Sequence, residues 1–495
     1  MNNFFKPLFD LAIYIKMFQN YLGTRIYLIF FFSIVASLLE GFGILMLLPL
    51  LDSIGSIEEV IPDGNKLSLF IYEVIDFLGL SSSTISVLFL ILVVFVLKGI
   101  ITLITLSINS YLIGTLLKNI KLNLFELYTN MSFSYYASKN TGDFVNLITE
   151  QPNKAVESFK QLTLFGAYLI NTIVLTILAF AISSSFGMLA VFSGVILLII
   201  FLKMNSFVRH LSRISASENS NLNKWLVQIL HGFKYLVSTN QMINLKNNIT
   251  SSINILTSNQ IKTGIAGAFT QSIREPLAVV FIITIIYFQL IVFQQRLEPI
   301  LVSIALFYRA LNSTLALQSS FQASFQDIGS MELINKEYKN QIIFGVKNGN
   351  KEIINFKKAI EFKNVLFTYK NSKTPCLRNI NIKIKAKSTV GIVGESGSGK
   401  TTLVDLITLL NDSTDGTIFI DGISSTEINK NIWRNKIGYI SQDTIVFDDT
   451  IANNINMWNE DSMGKERLIE VAEQANILDF INSLPKRFDT EVGDR

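Results

Sequence analysis

The fold of this chain is decided by the stretch Thr389-Val390-Gly391-Ile392-Val393-Gly394-Glu395-Ser396-Gly397-Ser398-Gly399-Lys400-Thr401-Thr402. Its first residues are mostly β-branched and apolar, which predicts a buried parallel strand over residues 389–393. The glycines that follow have the spacing of the phosphate-binding loop G-x-x-x-x-G-K-[ST], and apolar residues then recur at helical spacing. Strand, glycine loop and helix occur in the order that this motif requires.

The residue types of this loop suit a nucleotide. Gly394, Gly397 and Gly399 let the backbone curl and present its N–H groups to phosphate oxygens, and the following helix adds its positive N-terminal end. Lys400 supplies a charge for the β- and γ-phosphates, and the hydroxyl of Thr401 is a ligand for Mg²⁺. A glycine-rich turn without a ligand is the alternative, and the complete motif in its proper context favours the nucleotide site.

The composition of the chain bounds its class. Its 495 residues allow two or three domains. Hydrophobic residues make up 49% and charged residues 16%, which is too apolar for an average soluble protein. The net charge of +4 gives no reason to expect a nucleic-acid partner, and the single cysteine, Cys376, excludes an intrachain disulfide framework.

Six segments meet the requirement of about 20 mostly apolar residues for a membrane-spanning helix. They cover residues 26–51, 84–113, two helices within 162–202, 276–295 and 300–321. The serine cluster at 183–185 predicts the turn between the third and fourth helices. The first segment is too long for a signal-peptide core, so we expect it to remain in the mature protein.

The charges of the loops predict the orientation in the membrane. Residues 203–275 carry eight lysines and arginines against two acidic residues, whereas residues 52–83 carry six acidic residues against one lysine. Under the positive-inside rule the basic loop is cytoplasmic, and an even number of spans places both termini on the same side. We therefore predict an integral cytoplasmic-membrane protein whose phosphate loop is cytoplasmic.

The remaining segments complete the predicted organisation. The polar loops after spans two and four have a helical pattern and are expected to extend the membrane helices as cytoplasmic stalks. Residues 66–78, in the first outer loop, form an amphipathic pattern that fits either an external cap on the bundle or a helix in the lipid interface. The predicted domains are a membrane domain over 1–325, a linker over 326–358 and an α/β domain over 359–495.

Several further motifs occur in the order of one known family. Phe367-Thr368-Tyr369 resembles an aromatic loop, residues 416–422 are similar to a strand-turn, residues 437–443 resemble a Q-loop, and residues 447–455 resemble the segment that follows it. With six spans and two long inner loops, the chain resembles an ATP-binding-cassette (ABC) exporter half-transporter along its whole length. The fold that this resemblance implies is a helical membrane domain of six transmembrane helices (ABC exporter type 1 fold) plus an α/β P-loop nucleotide-binding domain that is C-terminally incomplete.

The resemblance implies site residues and partners. Tyr369 would stack on adenine, although it also fits a packed strand residue, and Gln442 would approach Mg²⁺ beside Thr401. The implied cofactors are ATP and Mg²⁺, and the implied partner is a second half-transporter subunit, as in a homodimer. Residues 139–148 resemble the first coupling helix, and a second lies near 223–237. The predicted nucleotide contacts are Tyr369, Gly394, Glu395, Ser396, Gly397, Ser398, Gly399, Lys400, Thr401, Thr402 and Gln442.

The motifs of the second half of an ABC cassette do not occur in this sequence. After Arg495 no signature LSGGQ, Walker B aspartate, catalytic glutamate or switch histidine follows. The catalytic residues are therefore unknown, and hydrolysis by the chain as written is in doubt. Either the sequence is a truncated copy of a longer exporter, which its end within a motif favours, or the protein is a membrane-bound nucleotide-binding protein that does not hydrolyse ATP.

Three charges lie inside the apolar segments, where a lone charge is costly. Glu40 and Arg309 have matching depths, and Lys98 lies slightly deeper. We predict that Glu40 pairs with Arg309 or Lys98 and leaves a basic group facing a central cavity; a purely structural salt bridge is the alternative. A cavity with surplus positive charge suits an anionic head group. Segments around these residues are similar to those of bacterial lipid-linked oligosaccharide flippases, which implies flipping or export of an anionic glycolipid. A drug or peptide exporter is the nearest alternative.

Overall fold

The computed structural model describes residues 6–47, 49–50, 73, 84–182, 184–288, 291, 297–369, 372–442, 445–459 and 464–493. The chain divides into two compact units. The first contains Met1–Lys347 together with Thr368–Cys376, and the second contains Asn348–Phe367 together with Leu377–Arg495. The amphipathic segment predicted at 66–78 lies outside the described residues except for Glu73.

The first unit is built from helices. They are α1 (Lys6–Leu22), α2 (Ile26–Leu45), α3 (Thr84–Thr129), α4 (Phe133–Tyr136), α5 (Thr141–Thr149), α6 (Gln151–Ile182), α7 (Ser184–His231), α8 (Phe233–Ser238), α9 (Met242–Ser272), α10 (Arg274–Tyr287), α11 (Leu297–Gln326) and α12 (Ile328–Phe344). Within the described ranges, three stretches are long and apolar enough to cross a bilayer: Tyr14–Leu45, Thr84–Thr129 and Thr141–Ala181. Helices α7, α10 and α11 cover the other predicted segments, and the count of six spans stays a prediction.

Two helices continue far beyond the predicted spans. The 46 residues of α3 and the 48 residues of α7 give lengths of about 70 Å at about 1.5 Å per residue. The hydrocarbon core of a bilayer is about 30 Å thick, so more than half of each helix would lie outside it. The residues predicted as stalks are therefore helical and continuous with the predicted spans, and their location outside the membrane stays a prediction.

The core of this unit lies where α2, α3, α6, α11 and α12 meet. Its largest fully buried side chains include Phe18, Phe159 and Phe325, with Leu112 and Leu116 of α3 between them. Most of the segment predicted as a linker folds into α12, which packs on α6 and α7. The boundary between the two units accordingly follows Lys347.

A buried ion pair fixes α12 against the first inner loop. The carboxylate of Glu337, on α12, is 2% exposed, forms an ion pair with Lys139 and accepts hydrogen bonds from the hydroxyl of Tyr135 at 3.0 and 3.1 Å. The backbone N–H of Val346 donates to the carbonyl of Asn130 at 3.0 Å. The chain before α5 and the end of α12 are thus held together at two points.

The second unit contains a four-stranded antiparallel sheet. Its strands are β1 (Ala359–Phe367), β2 (Leu377–Lys385), β3 (Asp415–Ile420) and β4 (Ile423–Ser424), in the order β2-β1-β3-β4. Positive φ values at Asp421 and Gly422 close the β3–β4 hairpin, as expected for an Asp-Gly turn. The carboxylate of Asp421 also accepts three backbone N–H groups, of Lys357, Lys358 and Ala359.

Helices and a short ladder complete this unit. They are α13 (Lys400–Ile407), α14 (Lys430–Arg434), β5 (Asp449–Thr450), α15 (Ile451–Asn456), α16 (Lys465–Gln474), α17 (Leu478–Ser483) and β6 (Glu491–Val492). Strands β5 and β6 pair antiparallel. The strand-turn expected at 416–422 is therefore confirmed as β3 and its turn.

The buried parallel strand predicted over residues 389–393 is not formed. The segment pairs with none of the described strands, and Val393 is 97% exposed. Apolar, β-branched composition favours a strand, but a strand also needs a neighbouring edge for its N–H and C=O groups. In the structure as described, the segment pairs with neither edge strand of the four-stranded sheet, β2 or β4, so the prediction is wrong there.

Candidate functional site

The phosphate loop has the backbone geometry that its glycines predict. Gly397 and Gly399 have φ values of +83° and +93°, in the left-handed region where a Cβ is strained. Gly399 directly precedes α13 and accepts a hydrogen bond from the N–H of Leu403 at 2.9 Å. Residues 394–398 are exposed, so the loop and the first turn of the helix are accessible to a ligand.

Lys400 reaches back over this loop. Its ammonium donates to the carbonyl of Gly394 at 2.9 Å and to that of Glu395 at 2.7 Å. A positive charge therefore lies beside the exposed backbone N–H groups and the N-terminal end of α13, which all favour an anion. This arrangement fits the phosphates of a nucleotide.

The protein side chains around the phosphate loop can supply only part of the coordination of a Mg²⁺ ion. Among the described residues no group of three or more His, Cys, Asp or Glu side chains is placed to hold a metal ion. Thr401 is exposed and Thr402 is buried, so a hydroxyl of the first turn is available. Phosphate oxygens and waters would have to supply most of the coordination, as is usual for this ion in nucleotide sites.

The far end of α13 is capped by residues that the sequence motifs do not reveal. The indole of Trp433 donates to the carbonyl of Ile407 at 3.0 Å, and the guanidinium of Arg434 donates to the carbonyls of Thr408 and Leu409 at 3.4 and 2.5 Å. These bonds satisfy carbonyls that a helix leaves open at its C-terminus and place a cation there. Asn429 caps α14, the helix that carries Trp433 and Arg434. An asparagine at this position is the feature of the sequence that could have predicted the helix.

Two other predicted nucleotide contacts, Gln442 and Tyr369, come from parts of the chain outside the loop. Gln442 is exposed and makes no hydrogen bond to the described residues. Tyr369 lies in Thr368–Cys376, which belongs to the first unit. Both roles stay predictions.

In the first unit, the three intramembrane charges meet. Glu40 is 6% exposed; one of its carboxylate oxygens lies 2.9 Å from the ammonium of Lys98 and the other 3.4 Å from the guanidinium of Arg309. These residues come from α2, α3 and α11. Glu40 thus pairs with both predicted partners, Arg309 and Lys98. Because the cluster holds two positive charges and one negative charge, it has a net charge of one positive unit.

Arg309 also lines a cavity of about 740 Å³. The polar lining residues are Glu275, Tyr308, Arg309 and Asn312, and the rest of the wall is apolar side chains and Gly43 of α2, α3 and α11. The side chain of Arg309 is 54% exposed although it contacts the buried Glu40. The substrate-binding role of Glu40, Lys98 and Arg309 stays a prediction, now with a cavity beside it.

Glu275 is a cavity residue that sequence reasoning missed. By its position it belongs to the basic inner loop, whereas the structure places it on α10 and in the wall of the cavity. The available signal is Pro276, because proline interrupts helical hydrogen bonding and favours a break of the kind seen between α9 and α10.

Two family models match this chain. The model described as ABC transporter transmembrane region matches residues 26–315, and the model described as ABC transporter matches residues 377–492. The first match alone covers more than half of the chain.

Similar proteins carry related descriptions. The chain is 28% identical over 380 residues to the heterocyst differentiation ATP-binding protein HepA of Nostoc sp., covering 75% of this chain and 61% of that protein. It is 26% identical over 423 residues to the ATP-dependent lipid A-core flippase of Haemophilus influenzae, covering 82% and 70%. The structure of a bacterial Atm1-family ABC exporter with ATP bound is similar with a TM-score of 0.73, 17% identity, and coverage of 96% of this chain and 80% of that one. That likeness is one of fold.

Proposed function

Because the chain belongs to the ABC transporter family and has the layout of an exporter half-transporter, we propose that it is the half-transporter of an ATP-driven flippase or exporter for a lipid-linked oligosaccharide or glycolipid in the cytoplasmic membrane. The proposal includes six transmembrane helices, a cytoplasmic nucleotide domain and a second subunit, as in a homodimer. The chain spans 61% of the length of the Nostoc relative, so activity, substrate and partner are all proposed.

The phosphate loop supports the ATP-binding part of the proposal. Lys400, the two left-handed glycines and the N-terminal end of α13 together offer the donors that a triphosphate needs. Mg²⁺ would be held by Thr401, with Gln442 approaching from the Q-loop. Binding and hydrolysis of ATP would supply the free energy for transport.

The observation that carries the substrate class is the ion cluster beside the cavity. Two cations share one buried carboxylate, and the more exposed cation, Arg309, lines the cavity. A guanidinium recognises phosphate with good geometry, and in a poorly solvated wall the attraction is stronger than in water. The ATP-dependent lipid A-core flippase among the relatives supports a lipid as substrate.

The proposal is tested by reconstituting the full chain into liposomes and following ATP-dependent flipping of a fluorescent polyprenyl-pyrophosphate saccharide. We expect flipping that depends on the head-group phosphate and is lost in Lys400→Ala. Equal flipping of an uncharged amphiphile of the same chain length would instead indicate a drug or peptide exporter. Binding of ATP without flipping or hydrolysis would indicate a non-hydrolytic membrane nucleotide-binding protein.

A further inference from the structure

The cavity of the first unit has charges of both signs in its wall. Arg309 comes from α11 and Glu275 from the neighbouring α10. Glu275 is exposed and forms no ion pair with any side chain that the structure describes. Arg309 is held by Glu40 through one nitrogen, Nη1, and a guanidinium has further N–H donors to offer.

The charges of the cavity and its ion cluster balance. Lys98 and Arg309 contribute two positive charges, and Glu40 and Glu275 contribute two negative charges. A ligand with phosphate alone would gain the attraction of Arg309 and meet the repulsion of Glu275. A ligand with an ammonium group next to its phosphate would be attracted by both residues, the phosphate by Arg309 and the ammonium by Glu275. Such charge complementarity determines specificity.

The backbone explains why Glu275 lies in the cavity wall. Helix α9 ends at Ser272 and α10 begins at Arg274, with Pro276 in its first turn. Proline cannot donate to the carbonyl of Ser272, so the helix breaks at this point. Irregular backbone within a membrane domain is tolerated where it lines a cavity or is buried in protein.

The remaining polar wall and the size of the cavity fit a head group. Tyr308 and Asn312 flank Arg309 on α11, one residue before and one helical turn after it. They add a hydroxyl and an amide to the two charges. About 740 Å³ lies within the range of ordinary small-molecule sites and is larger than a single sugar phosphate requires.

We infer that this cavity binds a zwitterionic head group, with its phosphate against Arg309 and a primary ammonium against Glu275. The inference rests on the proposed function and specifies its substrate more closely. The shared chemistry of phosphate and primary amine occurs in phosphoethanolamine lipids and in phosphorylated amino sugars, so both sources are included in the test.

The test uses the purified full chain in detergent and two matched ligand pairs. One pair is short-chain phosphatidylethanolamine and its N-acetylated form; the other is glucosamine 1-phosphate and N-acetylglucosamine 1-phosphate. Acetylation removes the ammonium charge in each pair and leaves the phosphate unchanged, and Glu275→Gln separates the effect of the charge from that of the added acetyl group. We expect the free amine of at least one pair to bind about tenfold more tightly, which corresponds to one fairly desolvated charge contact, and the pair that shows this preference identifies the source.

Three variants assign the preference to its residues. Glu275→Gln should bind both members of the pair alike, and Arg309→Gln should bind both more weakly. Glu157→Gln, at a half-exposed carboxylate of α6 that does not line the cavity, should behave as the unchanged protein. The inference is overturned if neither pair shows a preference for the free amine, or if Glu275→Gln keeps it. Should Glu275→Gln fail to fold, the ligand pairs on the unchanged protein decide alone.

The outcome is separable from failure of the proposed function. Both members of each pair contain phosphate, so tighter binding of the N-acetylated forms would overturn the zwitterion and leave an anionic substrate. Loss of all ATP-dependent flipping in liposomes would overturn the transport function whichever member binds.

Discussion

At the scale of single residues, Lys400 has two roles in the phosphate loop. An ammonium has three N–H donors, and two of them hold the carbonyls of Gly394 and Glu395. The same group supplies the one positive side chain of the motif. Its removal therefore changes both the shape of the loop and its charge.

We expect Lys400→Ala to weaken nucleotide binding by roughly 10- to 100-fold, since a hydrogen bond to a charged group contributes roughly 1.5–3 kcal/mol. Equilibrium titration of the purified chain with a fluorescent ATP analogue measures the change. Lys465→Ala, at an exposed lysine of α16, is the matched control. Unchanged affinity in Lys400→Ala would contradict the site.

Asp327, between α11 and α12, makes the stability of the folded chain depend on pH. Burial raises the pKa of its carboxyl from 3.8 to about 6; Lys154 opposes this increase and Glu157 and Glu150 add to it. The folded state therefore prefers the protonated acid. The contribution of this carboxyl to the stability of the folded state is fully present below about pH 4. It is lost as the pH rises through about 6, so the folded state is less stable at neutral pH than at pH 4.

Asp327→Asn should remove this loss, because the amide carries no charge to desolvate. We expect it to stabilise the chain by roughly 2 kcal/mol at pH 8 and to have little effect at pH 4. Thermal unfolding of the detergent-purified chain at both pH values gives the difference. The exposed Asp448→Asn serves as control, and an equal shift at both pH values in Asp327→Asn would refute the explanation.

At the scale of elements, the packing of α5 on α7 depends on a glycine, Gly142, at the contact. A Cβ at Gly142 would lie 2.5 Å from the backbone nitrogen of Lys224, which no side-chain rotation can relieve. Beside it, the amide of Asn146, fully buried, donates to the hydroxyl of Ser220 at 2.8 Å. The first predicted coupling helix thus packs directly on the second long inner loop.

Gly142→Ala should separate these two elements and destabilise the unit by roughly 1–3 kcal/mol, as overpacking does elsewhere. Gly264→Ala is the matched control, since a Cβ at that helical position meets nothing within 4 Å and alanine is the better helix former. The unfolding midpoints of both variants are compared with that of the unchanged chain. A Gly142→Ala midpoint at or above that of the control would rule out the tight contact.

At the scale of the whole molecule, the asymmetry of loop charge predicts the orientation of the chain in the membrane. The basic loop 203–275 forms the stalk helices α7 to α9, whereas the acidic residues of 52–83 precede α3. The positive-inside rule therefore predicts that Ser238 lies on the cytoplasmic side and Glu73 on the outer side.

This orientation is tested with single cysteines in a Cys376→Ser background. We expect a membrane-impermeant maleimide to label Glu73→Cys in intact cells and to label Ser238→Cys only after the membrane is permeabilised. Both positions are exposed in the structure, so access to the reagent depends on the side of the membrane. The reverse pattern would invert the predicted topology.

The sequence by itself determined the features that depend on neighbouring residues. The phosphate loop needs its glycines and Lys400 within a few positions, and a membrane helix needs only one continuous apolar run. The hairpin at Asp421 and Gly422 and the helix α5 are equally local. The sequence predicts such features because the residues that form them lie close together in the chain, so their spacing alone shows whether the physical requirement is met.

Only the tertiary structure decided what depends on distant residues. Glu40 and Arg309 are 269 positions apart, and their pairing, the simultaneous contact with Lys98 and the presence of Glu275 in the cavity follow from how four helices pack. The same reason explains the failed strand at 389–393: composition sets the tendency to extend, but pairing requires an edge from elsewhere in the chain. Local spacing determined the phosphate loop, whereas the packing of distant helices formed the cavity beside Arg309.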